Sequence, residues 1–239
     1  MKHLHLLFIA AIVYLVSCTG NDKKTTPPDQ QGTSADTLTE VMEDSTALSA
    51  ETIDTFSTMA FSEYAKKKSP GFDWTRFRLT QTWTEDSMVT APFRPDKQFY
   101  ESYGPFVKYS PDSTRFIDLD SYNLEIRKDA KGGYLGSEMG PDLEVSLVNL
   151  QTGIKTRLLF MGPGNSIEDG LWLDNETVAL VGINTHENEN GKTAAVWKIN
   201  LPTNTYWLYE LDDTAAAREL FGYWRNERLK GVEFNDHRH

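Results

Sequence analysis

Cysteine is almost missing from this chain of 239 residues: Cys18 is the only one. A single thiol excludes an internal disulfide and any cysteine-rich zinc site, so the folded part must be stabilised by core burial. Histidine is nearly as scarce. His3 and His5 open the chain and His237 and His239 close it, which leaves His186 as the one candidate catalytic or ligand histidine. Its neighbours, Asn184-Thr185-His186-Glu187-Asn188, read as a polar hairpin tip with an exposed histidine. His-Glu-x-x-His is missing, and so is any Cys/His zinc spacing. There is no Gly-x-Ser-x-Gly elbow to give His186 a serine nucleophile. P-loop and Gly-x-Gly-x-x-Gly patterns are absent, and Gly162-Pro163-Gly164 reads as a turn. The residues therefore point to no cofactor and no metal. Positive charge is in deficit, with 24 Lys and Arg against 35 Asp and Glu and a net charge of −11. With no basic cluster among aromatics, nucleic acid is excluded as a partner. Long apolar runs are lacking too. Residues 6–16, LLFIAAIVYLV, are uncharged, but they are too short to span ~30 Å of hydrocarbon.

That run has the length of a signal-peptide core, and Lys2 gives it a basic start. It leads into Leu15-Val16-Ser17-Cys18. The order of basic start, apolar core, small residue and cysteine resembles the lipobox of bacterial lipoproteins. The resemblance implies that residues 1–17 are removed and that Cys18 becomes the lipidated first residue, carrying a diacylglyceryl thioether. Each buried methylene contributes ~0.8 kcal/mol, so two or three acyl chains anchor a protein stably where one does not. The implied partner is the lipid bilayer and the implied location the cell envelope. Thr19 in place of Asp favours the outer membrane under the sorting rule of two-membrane bacteria.

After the cysteine the composition changes. No aromatic residue occurs between Tyr14 and Phe56, and Thr, Ser, Asp, Gln, Pro and Gly dominate. Such a stretch buries too little apolar surface to offset its ordering entropy. Residues 18–50 are therefore expected to be a disordered tether, reaching roughly 30 Å as a random coil.

Residues 51–234 hold the remaining aromatics and are expected to form one β-rich globular domain, with 235–239 as a disordered tail. A helix is predicted over 51–68, with Ile53, Phe56, Ala60 and Tyr64 near one face, Ser49 as its N-cap and Ser69-Pro70-Gly71 as its stop. A second is predicted over 214–230, capped by Asp213, with Gly222 a possible break. Between them the period is two. Strand-like runs cover 106–109, 114–120, 144–150, 154–161, 177–183, 194–201 and 205–211, separated by turn residues and with no helices between them. The expected fold class is mainly β, antiparallel, with one N-terminal and one C-terminal helix.

Two stretches repeat one unit. Ser110-Pro111-Asp112 leads into a strand, and a later strand runs through Asn149-Leu150-Gln151-Thr152-Gly153 into its partner. Asp174-Asn175-Glu176 and Asn200-Leu201-Pro202-Thr203-Asn204 take the same places in the second copy. Gly153 and Asn204 both suit a left-handed backbone. The unit resembles the blades of TolB-like and WD40-like β-propellers, which enter through a Ser-Pro-Asp-type turn and end on an Asp/Asn-Leu-x-Thr-Gly hairpin. Only two blades are visible where a closed ring usually needs at least four. The expectation is two blade-like four-stranded repeats, arranged as an incomplete stack or a β-sandwich. Val145 and Leu147 in one copy and Val196 in the other are expected to face a shared core.

Chemistry is thinly marked. Asp118, Asp120 and Tyr122 alternate along one strand, beside Asn123. They read either as a solvated strand face or as a speculative ligand site, since paired carboxylates bind cations or act as acid and base. Tryptophans at periodic positions read as core rather than as sugar platforms. The expected function is a membrane-anchored, non-enzymatic binding or accessory module for an envelope protein or glycan. The alternative is a glycosidase-like hydrolase using two carboxylates.

Overall fold

The computed structural model describes residues 46–186 and 191–235. The expected signal peptide, Cys18, nearly all of the expected tether, residues 187–190 and the expected tail from 236 lie outside the described residues. The folded body includes residues before 50: Ala47 bridges to Arg78 and Leu48 is buried in the core, so the body extends ahead of the expected boundary at 51.

The N-terminal helix comes as two, α1 (Ala50–Ser57) and α2 (Ala60–Lys68). Ser49 caps α1 as expected, accepting a hydrogen bond from Thr52 N at 3.3 Å. The break follows from local chemistry. The hydroxyls of Thr55, Ser57 and Thr58 all donate to carbonyls of their own helix, which competes with the regular ladder. The consequence is a change of phase. Phe56 and Phe61 would lie about 140° apart on one continuous helix; across the break both are buried in the same core. Ala60 is exposed, and Phe61 and Ala65 take its place.

The strands follow in chain order as β1 (Arg78–Thr84), β2 (Thr90–Pro92), β3 (Lys108–Tyr109), β4 (Arg115–Asp118), β5 (Leu124–Lys128), β6 (Tyr134–Glu138), β7 (Leu143–Asn149), β8 (Ile154–Met161), β9 (Ser166–Trp172), β10 (Thr177–Thr185), β11 (Lys192–Asn200), β12 (Thr205–Leu211) and β13 (Val232–Phe234). An unexpected helix, α3 (Lys97–Tyr103), precedes β3; Asp96 caps it through Phe99 N at 2.8 Å. The C-terminal helix α4 (Thr214–Leu220) is capped by Asp213 as expected but ends ten residues early. Gly222 at φ 91° turns the chain away, and a π-helical turn, Trp224–Arg228, follows.

The two repeats are sheets of the same topology. One runs β1-β12-β11-β10-β9 and the other β2-β8-β7-β4-β3. Each is a four-stranded antiparallel meander with a fifth strand from earlier in the chain added to its last member, so each has five strands rather than four. The turns correspond as well. Asn149 and Asn200 close their hairpins on Ile154 and Thr205. Each accepts turn amides on its side chain, and Gly153 (φ 70°) and Asn204 (φ 49°) occupy the same left-handed position. The second sheet carries an insertion, the hairpin β5–β6, to which β13 adds in parallel.

The sheets pack face to face. Ile117, Val145 and Leu158 meet Leu180, Trp197 and Leu208 between them. Val196 points the other way, into a core with Phe56, Phe61, Trp74 and Leu220 under the helices; its neighbours Ala195 and Trp197 face the other sheet. On the outer face of the second sheet, Phe99 of α3 stacks on Phe116 at 5.8 Å. A smaller core of Leu124, Ile126, Leu229 and Val232 joins the inserted hairpin to the C-terminal segment.

Candidate functional site

Strand β4 stops at Asp118, and the chain bends through residues 119–123. The alternation expected of Asp118, Asp120 and Tyr122 is therefore broken, and the three part company. Neither aspartate is solvated: they are 2% and 3% exposed. The Asp118 carboxylate closes its own turn, accepting from Asp120 N at 3.2 Å, from Ser121 N at 3.0 Å and from the Ser121 hydroxyl. Lys155 Nζ stands 3.6 Å from it. Tyr122 is exposed, edge-on to Phe160. Asp120 points elsewhere and meets Arg228 with two parallel bonds of 2.8 Å.

Arg228 is the residue that the sequence concealed. It is brought into place by Glu168, which is fully buried on β9. Pairing with β10 skips Glu168: Val181 faces Asp169 and Gly182 faces Ile167. A bulge of this kind re-aims a side chain, and Gly182 permits it, because a Cβ there would stand 2.0 Å from the Ser166 carbonyl oxygen. The re-aimed carboxylate accepts from Ser166 Oγ at 2.6 Å, Trp224 N at 3.0 Å and Gly222 N at 3.2 Å. Burial raises the Glu168 pKa, and these donors only partly offset it. Arg228 Nε then donates to the Glu168 carbonyl at 3.0 Å. Burial works against the Arg228 charge, but Asp120 and then Asp169 and Glu168 outweigh it and raise its pKa.

Two clefts border Arg228. The smaller, about 230 Å³, is lined by Asp120, Asn123, Asp142, Asn165 and Trp224 among others; the Asn123 Oδ1 is buried there without a hydrogen-bond partner. The larger, about 680 Å³, runs between β3 and β9, the edge strands of the two sheets. Its polar lining includes Lys108, Asp169, Tyr223 and Glu227. Lys108 Nζ pairs with Asp169 at 2.9 Å. Trp172 Nε1 donates to the Lys108 carbonyl at 2.8 Å, with the Arg115 guanidinium over the indole ring. Burial, followed by the charge of Asp169, pushes the Tyr223 phenol up to about 12.

His186 is not a free loop histidine. Its Nε2 lies 2.9 Å from Glu210 Oε1 and 3.2 Å from Thr193 Oγ1. Glu210 also accepts from Thr193 at 2.6 Å, Asn184 at 3.0 Å and Thr80 at 2.7 Å. Burial alone would raise this carboxyl; the donors, led by Thr193, and the His186 charge outweigh it and hold its pKa below the usual glutamate range. On the outer face of the second sheet, Glu144 binds Arg157 at 2.7 Å and the Ser146 hydroxyl at 2.6 Å. Among the described residues, no group of three His, Cys, Asp or Glu is placed to hold a metal ion, and no helix is long and apolar enough to cross a membrane.

Comparison with protein-family models, with curated proteins and with solved structures returns no match.

Proposed function

We propose that this chain is a lipoprotein of the bacterial cell envelope, anchored through Cys18, whose β body serves as a non-enzymatic binding or accessory module for a protein or glycan partner. The anchor rests on the lipobox resemblance. The observation that carries the binding reading is the use made of the buried carboxylates. Asp118, Asp120, Glu144, Glu168 and Glu210 are each held by hydrogen bonds or ion pairs that serve the fold. A general acid or base has to reach substrate and exchange a proton with it, and carboxylates so engaged are poorly suited to that work. The hydrolase reading keeps one specific support: Asp169 and Glu227 both line the larger cleft, where a glycosidase would place its carboxylates ~5–10 Å apart.

Crosslinked pull-down from intact envelopes, with the lipid anchor kept, tests the binding reading; a specific partner is expected in the captured material, and its absence would count against the module. Cys18→Ala is expected to release the protein from membranes. A variant still sedimenting with membranes after a salt wash would show the anchor to be wrong. Release of reducing ends from envelope glycan, lost in Asp169→Asn, would favour the hydrolase.

A further inference from the structure

The larger cleft contains a group that the fold itself does not use. Tyr223 is 3% exposed, and its ring packs edge-on against Phe61 and Tyr64, each with centroids 5.1 Å away. Its hydroxyl makes no hydrogen bond to any described residue, although Tyr223 lines the cleft. The hydroxyl is open to the cleft rather than sealed in the core, so a ligand seated there can supply the hydrogen-bond partner that the fold does not.

The lining defines what that ligand is. Its charges are largely spent within the protein, Lys108 on Asp169 and Arg228 on Asp120, and the carboxylate left over is Glu227, which disfavours an anion and suits a neutral molecule. Donors and acceptors stand close together at the Lys108–Asp169 pair, 2.9 Å across. Tyr109, 43% exposed, supplies an aromatic wall. A peptide adding as a strand is disfavoured, because backbone acceptors on both edge strands are already engaged: the Lys108 carbonyl by Trp172 and the Glu168 carbonyl by Arg228. The cleft, about 680 Å³, lies within the range of small-ligand sites, about 300–1,000 Å³. We propose that it binds a neutral oligosaccharide, whose hydroxyls bond Tyr223, Asp169 and Lys108 while a sugar face lies against Tyr109.

This inference rests on the binding-module reading and chooses glycan over protein for this cleft. The test is calorimetric titration of the detergent-solubilised full chain with neutral hexasaccharides: maltohexaose, cellohexaose, chitohexaose and mannohexaose. At least one is expected to bind. Tyr223→Phe should weaken that binding about tenfold, the effect of one lost hydrogen bond. It should leave the thermal midpoint unchanged, because the hydroxyl has no partner inside the protein. Tyr109→Ala, a change at an exposed side chain that puts folding at little risk, should weaken binding as well, and Tyr122→Phe should not. No binding by any member at millimolar concentration, or parental affinity in both Tyr223→Phe and Tyr109→Ala, overturns the proposal. If an envelope protein is captured equally by the parent and these variants while no saccharide binds, the cleft assignment fails and the module reading stands. Cleavage of a bound hexasaccharide would keep the cleft and overturn the non-enzymatic reading.

Discussion

Asp120 and Arg228, 108 residues apart in the chain, form a two-point ion pair with both bonds at 2.8 Å and both side chains buried. The pair ties the turn after β4 to the C-terminal segment that crosses β9. A buried pair loses much of its Coulomb gain to desolvation, but removing one member leaves an uncompensated charge. Arg228→Met is therefore expected to cost about 3–5 kcal/mol in urea unfolding. Asp120→Leu combined with Arg228→Met should recover most of that, short of about 1 kcal/mol for the lost bond to the Glu168 carbonyl. A double variant as unstable as the single one would show that the pair has a role beyond mutual compensation.

The equivalent hairpins make a matched pair of experiments. Gly153 and Asn204 hold the same left-handed position, but a Cβ at Gly153 would come within 2.8 Å of the Arg94 side chain. Gly153→Ala should cost about 1–2 kcal/mol from backbone conformation, plus whatever shift Arg94 must make. Asn204→Gly should change stability by only a few tenths of a kcal/mol, about the difference between two residues that both tolerate this region. Equal losses at the two sites would mean that the turns are not physically equivalent.

This contrast shows what was readable before the structure. Turn chemistry is local, so the hairpins at Asn149 and Asn200, the caps Ser49 and Asp213 and the alternating strands could be found in the sequence. The repeat followed from them. The helix break at Thr58 was hidden because the apolar spacing fits one helix nearly as well as two. The polar sites were hidden for a different reason. Asp120 acquires its partner from the far end of the chain, and Glu168 is aimed by a bulge that depends on Gly182 in the next strand. Alternation along one strand, the only signal available for Asp118, Asp120 and Tyr122, cannot show where a strand ends.

Two buried glutamates should give the stability a characteristic pH profile. The Glu168 pKa is raised above 4.5 in the folded protein, so the fold takes up that proton more readily than the unfolded chain, and stability from this group rises as pH falls through the folded value. The Glu210 pKa is lowered below 4.5. Its contribution is complete above that pH and is lost as pH falls from there through the folded value. Urea midpoints should therefore increase on mild acidification and decline in stronger acid. Glu168→Gln should remove the increase, and Glu210→Gln should lessen the decline. Unchanged profiles in both variants would refute the assignment.

The C-terminal segment also has a topological role. Strands β3 and β9 are sheet edges, and an edge is a liability that proteins cover with a loop or a helix. Here residues 222–228 cross β9, held by Glu168 at Gly222 and Trp224 and by Asp120 at Arg228, and β13 then joins β6. Ending the chain after Phe221 removes every donor of that segment, leaving Asp120 without Arg228 and Glu168 with Ser166 alone, while the helix-side core loses Tyr223 but keeps Leu220. The expected result is local before it is global. In hydrogen exchange, the amides of Ser166–Trp172 should lose protection, while those of Ala179, Leu180 and Val181, in the middle of the sheet, stay protected. Stability varies across a fold according to how each element is covered. If the truncated chain instead protected β9 as well as the parent does, the crossing segment would be a passive appendage, and the edge would be stabilised by something other than the Glu168 and Arg228 contacts.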